Sequence, residues 1–331
     1  MAEVRPHARF LMKHCFQKLL SHRSSSLVFR KQPLFSSTSF IRSFNHISTM
    51  PIDQTEKDVT LTYAGSSVKV LLHGANILSW KVNGAEKLFL SEGAILDGSK
   101  AVRGGVPLVF PVFGKATSGP TATLPQHGFA RLSTWEFLGQ TTESPLAVQF
   151  GLGPENVSEE LRSAWPYNFT LIYTVSLGED TLETSLSISN PGDVAWDFQT
   201  LLHTYFYIPD VDKVAVTGLT GTEVKDKVTK TDYSESNEDV TIAAEVDRVY
   251  ENVPKPVTIK SDGKTLFEIT RKNLDDVVVW NPWTNCVKMG DFKPVTGYKN
   301  MICVEAGSVS KWTSLAPGET YVAVETVKAY L

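Results

Sequence analysis

A chain of 331 residues with 42% hydrophobic and 21% charged residues has ordinary globular composition and enough length to bury a large core. Residues 1–50 hold eight Lys or Arg against one acid, Glu3, a local net charge of +7 that leaves -11 on the remainder of a -4 chain. An acidic body gives no general reason to bind nucleic acid or an anionic membrane, and no apolar run approaches the ~20 residues of a membrane span.

The first fifty residues are rich in Ser and Arg and nearly free of acid, the composition of an organellar transit peptide. Over 9–20, Phe10, Cys15, Phe16, Leu19 and Leu20 sit beside Arg9, Lys13 and Lys18 and can form a basic amphipathic helix, which leans towards a mitochondrion. The Ser clusters at 24–26 and 36–39 lean towards a plastid (chloroplast), and we place the plastid ahead of the mitochondrion. Met50 offers a second start for a cytosolic form. A secretory signal is disfavoured because the apolar stretch is short and interrupted, so the sequons at Asn156 and Asn168 should stay unmodified.

From Val59 the dominant signal is period-two alternation punctuated by turns, which predicts strands at 59–63, 67–72, 77–82 and 146–152. Asn156 and Glu159 have the spacing of a capping box, and 157–164 reads as a short helix. Phe169, Leu171, Tyr173, Val175 and Leu177 alternate with polar residues, Gly178-Glu179-Asp180 turns the chain, and Leu182, Leu186 and Ile188 resume the pattern. Further strands are predicted at 213–217, 265–270, 276–280 and 300–306, then a hairpin from Trp312 to Leu315 through Pro317-Gly318-Glu319 to 321–326. No βαβ repeat, Walker A motif or strand-borne G-x-G-x-x-G appears, so nucleotide binding has no local support. With no internal repeat or linker over 55–331, this stretch is expected to be one all-β sandwich domain with few short helices.

Four of the seven histidines fall in the first fifty residues, leaving His73, His127 and His203. These show no His–Cys or His–carboxylate spacing typical of zinc, and Cys286 and Cys303 read as reduced structural thiols, so no metal is expected. On a strand over 198–208, Gln199, Leu201, His203, Tyr205 and Tyr207 share one face. Polar tips and aromatic rings suit a sugar, although this strand alone fits a satisfied core histidine better. Glu305 interrupts the apolar run Met301–Ala306, where lost solvation should raise its pKa towards that of a general base. An exposed strand face reads equally well there.

Arg103 precedes Gly104-Gly105, and we expect the glycines to bring backbone N–H groups to an anion while the guanidinium forks onto phosphate. Residues 124–131 gather Gln126, His127 and Arg131. Asp247 could accept sugar hydroxyls, but a solvated loop acid is the plainer local reading. Asn281-Pro282-Trp283 reads as an aromatic loop at a strand end, either packing or flooring a pocket.

Taken in order, HGANILSW (73–80), VRGGVPLVFPVFG (102–114), LPQHGFAR (124–131), WPYNF (165–169), LLHTYF (201–206), VVWNPW (278–283) and VEAG (304–307) resemble the aldose 1-epimerase (galactose mutarotase-like) superfamily. Within it they are most similar to the hexose-6-phosphate mutarotase, or glucose-6-phosphate 1-epimerase, branch. The resemblance spans nearly all of 55–331 and leaves the first fifty residues outside. It implies a large antiparallel β-sandwich with the sugar on a concave face, and cofactor-free interconversion of the anomers of a hexose 6-phosphate. It further implies His203 as acid and Glu305 as base, approaching the sugar from different sides. Arg103, Gln126, Arg131 and Asp247 would bind substrate, with both arginines at the phosphate and His127 hydrogen-bonding in the pocket. We expect a monomer with neither a nucleic-acid nor a membrane partner. A mutarotase of unphosphorylated aldoses, a non-catalytic sugar-phosphate sensor, and a glycoside hydrolase needing a second carboxylate remain as alternatives.

Overall fold

In the computed structural model, which describes residues 51–330 apart from Lys255, the clearest alternation becomes the middle of the largest sheet. Thr170–Leu177 buries Leu171, Tyr173, Val175 and Leu177 and turns the intervening residues outward. Thr181–Ser189 returns antiparallel with Leu186 opposite Tyr173, burying Leu182, Thr184, Leu186 and Ile188. The described strands form antiparallel sheets of five, nine and eight members. One continuous core joins residues of all three, among them Val59 and Trp80, Leu171 and Tyr173, and Val277 and Ile302. This is the all-β sandwich that the alternation and the resemblance predicted.

The eight-stranded sheet differs from the nine-stranded one in being buried on both faces at its centre. Val277 and Val279 of Asp276–Asn281 enter the main core, whereas Val278 packs in a second cluster against Trp280. Ile302, Val304 and Ala306 of Met301–Leu315 likewise enter the main core, whereas Met301 and Cys303 belong to a third cluster. Burial on both faces removes the alternation and leaves continuous apolar runs in the sequence.

Several predicted elements change. Residues 300–306 and 312–315 belong to one strand, Met301–Leu315, because no turn lies between them and residues 309–312 bulge from it opposite the single Gln199 of the partner strand. The helix is confined to Glu159–Ala164, and its cap is Ser158, whose Oγ accepts from Leu161 N at 3.4 Å. Asn156 instead accepts from Gly153 N in a preceding 3₁₀ turn. The single strand expected over 198–208 is two, Trp196–Leu202 and Tyr205–Tyr207, with His203 and Thr204 between them. The predicted targeting segment lies outside the described residues, among which no helix is long and apolar enough to cross a membrane.

Candidate active site

Residues directly opposed in an antiparallel ladder point to the same side, so register alone assembles a face. Asp247 of Val246–Glu251 lies opposite Trp280, Trp280 opposite Cys303, and Cys303 opposite Tyr205. One row along, Val249 lies opposite Val278, and Val278 opposite Glu305. Leu201 lies opposite Gly307, and alternation through the break carries His203 onto the same face as Leu201 and Tyr205. The side of the sheet turned away from the main core therefore gathers His203, Glu305 and Asp247 around Trp280.

His203 Nδ1 and Glu305 Oε1 are 3.3 Å apart, with Glu305 only 1% exposed. That is a closer pairing than an opposed placement of acid and base would give. The imidazole stacks on Tyr205 (4.8 Å between centroids, 11° between planes) and meets Trp280 and His127 edge to face. Glu305 Oε2 has no hydrogen-bond partner among the described residues. Burial first, then His127, Arg131 and Arg103, lower the His203 pKa well below its usual value. Burial first, then Asp247, raise that of Glu305 well above the usual carboxylate range, with Lys227 and Arg131 pulling the other way. Both groups lean towards their neutral forms, an imidazole beside a carboxylic acid, and His203 Nδ1 makes no hydrogen bond among the described residues.

Cys303 joins this pair, with ligand atoms of Cys303, His203 and Glu305 all within 4.8 Å of one another. Sequence spacing gave no hint of that grouping. Burial raises the Cys303 thiol far above its ordinary pKa, while a metal would need the thiolate, and the surrounding cations oppose a further positive charge.

The basic rim is built from the two expected arginines and from residues that the sequence did not reveal. Arg103 Nε lies 3.2 Å from Asp291 Oδ1, and its Nη1 donates to the Tyr205 hydroxyl at 3.3 Å. Burial opposes its charge, but Tyr205 and Asp291 more than offset that, and its pKa stands above the ordinary value. Lys100 approaches the other Asp291 oxygen at 3.6 Å. Arg131 has no carboxylate within ion-pair distance among the described residues. Its Nη2 donates to the Gln126 carbonyl at 2.8 Å, and its buried Nε lacks a partner. Burial first, with Arg103 adding, lowers its pKa to about 10, which keeps it charged near neutrality. Lys227 reaches Asp247 at 3.2 Å and lies over the Phe113 ring.

His127 Nδ1 accepts the Gly114 N–H at 3.2 Å, and its Nε2 lies 3.3 Å from the side-chain amide of exposed Gln126. Burial, then Arg131, Lys227 and Arg103, lower its pKa to about 3, so it is neutral, with Nδ1 the acceptor towards Gly114. Its backbone is left-handed at φ 67, followed by Gly128 at φ 72, where a Cβ would lie 2.0 Å from the Phe110 carbonyl oxygen. Gly128→Ala should therefore cost about 2–3 kcal/mol or more, seen as a lower urea midpoint, and an unchanged midpoint would refute this account of the turn.

At Gly105 the expectation of an N–H free for an anion needs correcting. Gly105 N–H donates to the Phe89 carbonyl at 2.8 Å, and a Cβ there would lie 2.1 Å from Ile77 O. Tight packing of backbone against backbone demands glycine at 105, and its N–H is spent before any anion arrives. Of the aromatic loop, Trp283 packs on Tyr298 at 5.1 Å, while Trp280 faces the site.

Residues 57–328 match the family model for aldose 1-epimerase. A relative from Cenchrus ciliaris named "Putative glucose-6-phosphate 1-epimerase" is 35% identical over 279 residues, covering 80% of this chain and 82% of the relative. One of the same name from Escherichia coli is 34% identical over 246 residues, covering 72% and 79%. The crystal structure of a "putative mutarotase" from Salmonella typhimurium superposes with a TM-score of 0.74 at 29% identity, covering 84% of this chain and 93% of that one.

Proposed function

The chain belongs to the aldose 1-epimerase family, and we propose that within it the protein is a hexose-6-phosphate mutarotase working by acid–base ring opening. The observation that carries this reading is Arg131, a half-buried cation without a carboxylate partner among the described residues, close to Arg103 and to a His–Glu pair whose surroundings favour its neutral forms. A phosphate dianion would supply the missing negative charge through bidentate, charge-assisted hydrogen bonds.

The two oxygens that change partners during mutarotation share the anomeric carbon, and His203 and Glu305 are close enough to address both. Glu305 as carboxylate takes the proton of the anomeric hydroxyl, while His203 as imidazolium donates one to the ring oxygen. The ring carbon–oxygen bond breaks as the carbonyl forms, the adjacent carbon–carbon bond rotates, and closure on the other face returns both protons. Nothing is consumed, and each positioned proton transfer contributes ~100- to 10,000-fold. Before substrate arrives the surroundings favour imidazole and carboxylic acid, partly because Arg131 and Arg103 repel charge on His203. Substrate phosphate offsets those cations and moves the same proton towards His203. In this reading Asp247, Gln126 and neutral His127 exchange hydrogen bonds with sugar hydroxyls.

Exchange NMR on glucose 6-phosphate and on glucose, each against buffer, tests the assignment. Acceleration should appear for the phosphorylated sugar, with kcat/KM for glucose lower by about 10- to 100-fold for each charge-assisted hydrogen bond that glucose cannot accept. Equal acceleration of both sugars would favour the unphosphorylated-aldose reading, and binding without acceleration the sensor reading. Burial and the nearby cations hold the His203 pKa well below its ordinary 6.5 in the free protein. In kcat/KM for glucose, which reports the free protein and a substrate that does not itself titrate there, no histidine inflection should mark pH 6.5, and one caused by His203 would contradict the depressed imidazole.

A further inference from the structure

A second carboxyl lies directly behind the catalytic strand, where the mechanism makes no use of it. Glu325 is 2% exposed on Thr320–Ala329 of the nine-stranded sheet, in a row whose other inward members are Ala323, Val327 and Ala329. An aliphatic side chain would fill that position without the cost of desolvating a carboxyl. Its Oε2 instead accepts a hydrogen bond from Thr204 Oγ1 at 3.2 Å, in the space between the two sheets.

Thr204 and His203 are the two residues at which the strand breaks. Ladder pairing with Met301–Leu315 stops after Leu202 opposite Ala306 and resumes at Tyr205 opposite Cys303. Within the break, His203 N–H donates to Pro107 O and Thr204 N–H to Leu202 O, both at 3.0 Å. His203 faces the site, while Leu202 and Phe206, which flank Thr204 in the alternation, enter the main core. The bond to Glu325 thus holds the break at the point where the regular ladder does not.

We propose that Glu325 and Thr204 form a positioning pair that fixes the His203-bearing break from the core side and so sets the His203–Glu305 spacing. The groups facing Glu325 are Arg271 and Thr184, opposite it on the flanking strands, Tyr173, and Glu305 through the sheet. Burial raises the Glu325 carboxyl to about 8, with Thr204 and Arg271 acting against the rise. A glutamine at 325 keeps an acceptor for Thr204 without the ionisation.

The test uses the full chain with Glu325→Leu, Glu325→Gln, Thr204→Val and the Thr204→Val/Glu325→Leu double variant. Two readouts are taken: kcat and KM for glucose 6-phosphate, and the imidazole NMR resonances of His203 without substrate. Glu325→Leu and Thr204→Val should each lower kcat about 10- to 100-fold with a smaller change in KM, and the double variant should be no worse than the poorer single. Both should shift the His203 resonances, and Glu325→Gln should restore rate and resonances. Additive kinetic losses, or resonances unmoved in both single variants, would overturn the proposal. The kinetic arm rests on the mutarotase reading, whereas the resonances decide the positioning role even if wild type leaves glucose 6-phosphate untouched. If Glu325→Leu does not fold, Thr204→Val with unmoved resonances overturns it alone.

Discussion

Glutamine in place of Glu305 should slow protein-catalysed anomer exchange of glucose 6-phosphate by about 100- to 10,000-fold while leaving the fold intact. The amide has the carboxyl's shape, so the packing against Val278 across the ladder and the site-facing row around Trp280 is retained. It cannot take the anomeric proton. His203→Asn should fall by a comparable factor, because no group then protonates the ring oxygen. Near-normal exchange in both variants would sink the acid–base assignment. Stability should move oppositely. A carboxyl whose folded pKa is raised contributes stability that is complete below its unfolded value of about 4.5 and is lost as pH rises towards the folded pKa. Glu305→Gln escapes that loss, so its urea midpoint should gain on wild type as pH rises above about 4.5.

Arg131→Met should raise KM for glucose 6-phosphate by roughly 10- to 100-fold and leave the reaction with glucose nearly unchanged. Methionine keeps an unbranched apolar stem and removes only the charge and its donors. Arg131 holds no carboxylate among the described residues, so its removal strands no acid. Loss of the cation should also let the His203 pKa rise towards its ordinary value, since Arg131 is one of the charges depressing it. Arg103→Ala should likewise raise KM, with an added loss of stability because it abandons Asp291 and the Tyr205 hydroxyl in a buried setting. If Arg131→Met impaired glucose and glucose 6-phosphate alike, the residue would not be a phosphate ligand.

Alternation made the strands of the nine-stranded sheet legible, because Thr170–Leu177 and Thr181–Ser189 each bury one face and expose the other. The strands that carry the site bury both faces, and their apolar runs conceal which residues look into the core and which away from it. Glu305 was visible only as an interruption of such a run. Asp291, Lys227 and Lys100 left no mark in the sequence, since loops deliver them and their partners stand far away along the chain: Lys100 and Arg103 meet an acid near residue 290. The meaning of Gly105 was hidden for a related reason. Its constraint is a carbonyl of Ile77, and nothing in the local sequence distinguishes that from an anion.

His203 and Glu305 ride on chain segments laced to the same strand system, with Val278 tying Glu305 on one side and Cys303 tying Tyr205 on the other. Their separation therefore follows the sheet on either side of the break and the Thr204–Glu325 bond within it, and no hinge or closing flap is required to bring them together. A site assembled in this way is formed before a ligand reaches it.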